Sequence, residues 1–75
     1  MIIVFELVDE SLEVTVDGEG IDYLVRILTS IQNGGHEHLA SPSWAGSELA
    51  ETPMYKNSTV IHQVTFARRP DNWGE

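Results

Sequence analysis

Seventy-five residues, with twelve acidic against four basic side chains and a formal charge of −8, limit the chain to one small domain, spanning residues 1–75, with a modest core. A domain of this size buries only about 60 % of the surface its unfolded chain exposes, and with no cysteine it has neither disulfides nor thiolate metal sites to help it. The acidic balance disfavours nucleic acid, whose phosphates call for clustered Lys and Arg, and no apolar run approaches a membrane span of about 20 residues.

Met1-Ile2-Ile3-Val4-Phe5 is apolar, but Glu6 interrupts it and no basic residue precedes it. That argues against a signal peptide and makes a cytoplasmic protein the expectation. Ile2 to Val8 and Leu12 to Val16 are rich in β-branched residues, and Asp9-Glu10-Ser11 between them fits a hairpin loop. Ile3, Phe5 and Leu7 share one face of the first strand, and Ile2, Val4, Glu6 and Val8 the other. In the second, Leu12, Val14 and Val16 alternate with Glu13, Thr15 and Asp17, which predicts one buried and one wet face. Asp17-Gly18-Glu19-Gly20 breaks the pattern. Ile21, Leu24, Val25, Leu28 and Ile31 follow at helical spacing opposite Asp22, Arg26, Thr29 and Gln32, with Glu19 and Asp22 at the dipole's positive end. Asn33-Gly34-Gly35 supplies residues suited to a left-handed helix stop.

His36 to Ala40 reads as a strand that ends at Ser41, because Pro42 holds the preceding residue extended and donates no hydrogen bond. Ser47 to Glu51 fits either a short strand or a helical turn. Thr52 to Ser58 reads as a loop, Thr59 to Arg68 as a long strand closed by Pro70, and the tail carries Trp73 as an anchor. The fold expected is α+β: an antiparallel or mixed sheet of four to five strands, with one helix on one face, in the order ββαβ(β)β. One helix covers one face, so Ile2, Val4 and Val8 are expected to stay uncovered. Such a face predicts a partner or a homodimer.

His36, His38 and His62 invite a metal reading, since alternate strand residues share a face. Parity opposes it: Leu39 facing the helix turns His36 and His38 away, whereas Val60, Val64 and Phe66 carry His62 to the helix side, unless a bulge intervenes. Ser41, Ser43, His38 and Glu48 contain a hydroxyl, a base and an acid, but at no spacing that matches a nucleophile elbow. Gly18-Glu19-Gly20 lacks the third glycine of a dinucleotide site. No enzyme, metal or cofactor is therefore expected. Trp44 has two readings, a core filler folded over the sheet or an interface anchor projecting from a proline-fixed turn. Gly46 suits a turn that other residues resist.

His38-Leu39, Ser41-Pro42, Trp44, Gly46 and Glu48-Leu49 resemble the signature of the immunity protein 32 family of bacterial polymorphic-toxin systems. Ala45 departs from that pattern, which has glycine there. The resemblance implies a small cytoplasmic protein that binds a toxin domain and blocks it, and it allows dimerisation through the sheet. Trp44, His38, Glu48 and Glu51 would make the partner contact, while Ser41, Pro42, Gly46 and Leu49 shape the motif. A basic toxin suits the acidic chain, because opposite charge speeds encounter. The alternative is a self-associating interaction or scaffold domain with no immunity role.

Overall fold

The structure, a computed structural model, describes residues 1–72. Strands β1 (Ile3–Val8) and β2 (Ser11–Val16) form the expected hairpin, closed through Asp9, whose φ of 56° lies in the left-handed region that aspartate tolerates. Helix α1 (Gly18–Ser30) begins earlier than the apolar spacing suggests, because Asp17 caps it: its carboxylate accepts the Gly20 N–H at 2.8 Å. Gly20 is required there for space, since a Cβ would lie 2.4 Å from the Ile2 carbonyl oxygen. The helix ends at the capping residue Ile31, and Gly34 and Gly35 follow at φ of 123° and 102°. No helix among the described residues is long and apolar enough to cross a membrane.

The sheet departs from the expectation. Instead of one sheet of four to five strands there are two antiparallel sheets, one of three strands, which contains β1 and β2, and one of two. Strand β3 is His36–Ala40. The single long strand predicted from Thr59 to Arg68 is split into β4 (Thr59–Val60) and β5 (Gln63–Ala67). Val60 lies opposite Glu6 on β1, while Val64 lies opposite Leu39 on β3. At the break, the Ile61 N–H donates to the Phe5 carbonyl at 2.8 Å and the His62 carbonyl accepts from the Ser41 N–H at 2.9 Å. The chain thus changes sheets at a corner, as strands do where two sheets meet at an angle. Ser47 to Glu51 forms neither strand nor helix, though the Ala50 N–H donates to the Ile3 carbonyl at 2.8 Å.

Ile3, Phe5, Ile27, Leu39 and Leu49 form the core, with Val16, Tyr23, Leu24, Ile61, Val64 and Phe66 packed around it. Two expectations about its faces need correction. The far face of β1 is not bare: Val4 and Glu6 are fully buried, and the loop before β4 is tied down on Glu6. The Met54 N–H donates to one carboxylate oxygen at 2.8 Å, and the Ser58 hydroxyl donates to the other at 2.6 Å. Only Ile2 on that face is well exposed. The second correction concerns the helix side. Leu12 and Val14 stay about half exposed, and of the apolar stripe only Leu24 and Ile31 turn inward, joined by Ile27; Ile21, Val25 and Leu28 point to solvent. Trp73 lies outside the described residues.

Candidate functional site

The motif becomes a tight loop between β3 and Glu51. Pro42–Trp44 makes one 3-10 turn, entered through an extended Ser41, as the proline dictates. The N–H groups of Trp44 and Gly46 both donate to the Ser41 carbonyl at 2.9 Å. The turn then reverses at Ala45, whose φ of 63° is left-handed. This is the position where the resembled pattern has glycine, and the alanine carries a local backbone cost there. At Gly46 the constraint is spatial, because a Cβ would lie 2.4 Å from the Ala40 carbonyl oxygen. That same carbonyl accepts the N–H groups of Glu48 and Leu49 at 3.2 and 3.1 Å. Leu49 enters the core at 2 % exposure and staples the loop to the fold.

Both acids of the motif bond to the loop's own backbone. Glu48 accepts the Ala40 N–H at 3.0 Å, and Glu51 accepts the Ser43 N–H at 2.7 Å. These bonds hold both carboxyls below their ordinary value: for Glu48 the Ala40 N–H outweighs partial burial, and for Glu51 the Ser43 N–H leads, followed by the hydroxyls of Ser43 and Ser41. Their acidity therefore braces the loop. Glu6 plays the same part beneath the neighbouring loop. Burial alone would raise its pKa, but hydrogen bonds from Ser58, Met54 and Tyr55 together bring it below the ordinary carboxylate value.

His62 stands opposite Ser41, next in line after the Leu39–Val64 and Ala40–Gln63 pairs, so it shares the side of Leu39 and Val64, as the alternation predicts. There it meets the buried Ser41, whose Oγ lies 2.7 Å from its Nδ1. Glu51 Oε1 is 3.8 Å from that same nitrogen. Serine, histidine and acid are thus gathered, but not as a relay: catalysis needs the hydroxyl on one ring nitrogen and the acid on the other. Here both approach Nδ1, and the serine has no exposed surface. The Ser41 hydroxyl also helps to hold the Glu51 carboxyl low. The trio is a polar clamp between the loop and the corner.

Trp44 does not fill the core. It stands 64 % exposed at the end of the 3-10 turn. His38 is not drawn into the loop; it lies exposed on β3, with Nδ1 2.9 Å from Thr65 Oγ1 and 3.1 Å from Gln63 Nε2. His36 stands on the same face, its ring 4.9 Å from that of His38. Among the described residues no three His, Asp or Glu stand together as metal ligands would. An open groove of about 270 Å³ lies elsewhere, between Met1, Glu19, Asp22, Tyr23 and Arg26.

Residue reading missed Glu6 and His62 as organising groups. An acid on an otherwise apolar face, Ile2-Val4-Glu6-Val8, was the available signal for the first. The adjacent apolar pair Val60-Ile61, which no single alternation accommodates, was the signal for the second. Comparison with protein-family models, curated proteins and solved structures gave no match to this chain.

Proposed function

We propose that this protein is a small immunity-type binding protein that neutralises a bacterial toxin domain by stoichiometric occlusion, acting in the cytoplasm with no cofactor or metal. One observation carries the reading: a tryptophan 64 % exposed on a loop whose acids and serine bond inward. A rigid aromatic presented this way loses little freedom on binding, which is the usual character of an interface anchor. The resemblance of residues 38–49 to the immunity protein 32 signature supports the class of partner. The eight-unit negative excess supports a basic one, such as a nuclease, because complementary charge raises the encounter rate. Glu48 and Glu51 hold Trp44 in position, and His38 lies at the polar margin.

Co-expression with any toxin domain encoded beside this protein tests the reading. The wild type should restore growth, and the affinity of the purified pair should fall as salt rises from low to physiological strength. Absence of any toxin gene nearby, together with no protection, would favour the alternative of a self-associating scaffold domain. In that case Trp44 is dispensable.

A further inference from the structure

We propose that two copies of this chain associate through the free edge of β2, forming a continuous six-stranded sheet with the two helices side by side on one face. The inference goes beyond the toxin-binding reading and uses none of the Trp44 loop. Among the described residues, strand β2 has a neighbour on one side only. Its sequence, Ser-Leu-Glu-Val-Thr-Val, carries neither the lysine nor the proline with which exposed edges are usually blunted.

The hydrogen-bond phase of this edge is fixed by the hairpin. On β1 the carbonyls of Ile3 and Phe5 point away from β2, to Ala50 and Ile61. The alternate residues Val4, Glu6 and Val8 therefore bond to Thr15, Glu13 and Ser11 on β2. Leu12, Val14 and Val16 are left with their backbone groups pointing outward. An antiparallel two-fold centred on Val14 sets Val14 against Val14 and Leu12 against Val16 of the second copy, making six hydrogen bonds. It also sets Glu13 against Thr15. A centre on Glu13 would oppose two glutamates, and one on Thr15 would oppose Glu13 and Asp17, which like charge disfavours.

The side chains agree with this register. Leu7, Leu12 and Val14 lie on the same side of the hairpin as the core residue Phe5, whose partner is Val14. On α1, Gly20, Leu24, Ile27 and Ile31 face inward, and the helical repeat places Ile21, Val25 and Leu28 about a quarter turn away on one flank. The other flank is accounted for: Ser30 reaches Glu37 of β3, and Tyr23 and Arg26 line the groove with Met1. The apolar flank therefore faces the β2 side, toward the two-fold axis. Leu7, Leu12, Val14, Ile21, Val25 and Leu28 are 41–58 % exposed, an open apolar area on the order of 500 Å² per chain. Two copies bring together about 1,000 Å² from these side chains alone, the threshold of a specific interface, before the strand edges are counted. An isologous pairing of one patch with itself is the commonest form of oligomer.

Sedimentation equilibrium of the full chain between about 10 µM and about 1 mM, with amide hydrogen exchange at both ends of that range, tests the proposal. A dimer is expected whose formation strengthens with salt, since each copy carries −8; this is the reverse of the salt response expected for a basic toxin. The amides of Leu12, Val14 and Val16 should exchange slowly only at high concentration. Val25→Glu, at a site exposed in the monomer, should weaken association at least about tenfold with an unchanged circular dichroism spectrum. A chain monomeric throughout would overturn the proposal. So would a dimer in which these three amides stay unprotected or which Val25→Glu leaves intact.

Discussion

The two ends of this molecule handle their exposed groups in opposite ways. In the motif loop and its neighbour, polar atoms are turned inward: Glu6, Glu48 and Glu51 each accept a backbone N–H, and Ser41 is buried against His62. What the loop leaves outside is one large aromatic. At the hairpin and helix flank the backbone edge is open and Leu12, Val14, Ile21, Val25 and Leu28 all meet solvent. The first region is complete in the monomer: its motif loop presents Trp44, and the neighbouring loop leaves Met54 and Tyr55 exposed. The second has spare hydrogen bonds and spare apolar surface together, a combination that a second strand satisfies. In an acidic protein, then, the carboxylates are not all surface charge. With Asp17 at the helix cap, four acids among the described residues hold the chain's own backbone.

The loop end is the more sensitive to change. Leu49→Ala empties a core position and frees the loop from its staple, an expected loss of about 2–5 kcal/mol in urea unfolding. A smaller loss would mean that the loop is held by its acids alone. Glu6→Leu leaves the Met54 N–H and Ser58 hydroxyl without partners, and thermal melting should fall by on the order of 10 °C. An unchanged melting temperature would show that water replaces the carboxylate. Gly46→Ala drives a methyl against the Ala40 carbonyl, with an expected loss of about 1–3 kcal/mol. Ala45→Gly should act in the other direction and stabilise by up to about 1 kcal/mol, since a left-handed φ costs alanine but not glycine.

Acid should separate the two regions as well. Glu6, Asp17, Glu48 and Glu51 all have folded pKa values below their ordinary ones, 4.5 for the glutamates and 3.8 for the aspartate. Between folded and unfolded values the unfolded chain binds more protons, so stability rises with pH there. Their contribution is complete above the unfolded values and is lost as pH falls through the folded ones. A pH series of urea midpoints should be level in this respect near neutrality and decline below about pH 4.5, with the Glu48→Gln and Glu51→Gln variants declining less.

The hairpin and the helix were readable because their signals are local: alternation in Leu12-Val14-Val16, and 3.6-residue spacing up to Ile31. Their environments were less so. Spacing marks Ile21, Val25 and Leu28 as apolar, but only the packing of α1 against the rest of the fold takes Ile27 into the core and leaves them exposed. The split sheet depends on Ile61 and His62 bonding to two different strands, a long-range choice no window of sequence contains. Within the motif, Pro42 and Gly46 announced a rigid turn. That Glu48 and Glu51 serve its backbone, and that Ser41 meets a histidine twenty-one positions away, follows only from the fold.

That a self-supporting loop presents Trp44, and does not depend on it, is tested most directly by the urea midpoint of Trp44→Ala. A presented side chain at 64 % exposure predicts a change within about 0.5 kcal/mol, as for surface substitutions. A loss of about 3–5 kcal/mol, the cost of emptying a packed tryptophan site, would contradict it and return Trp44 to the core.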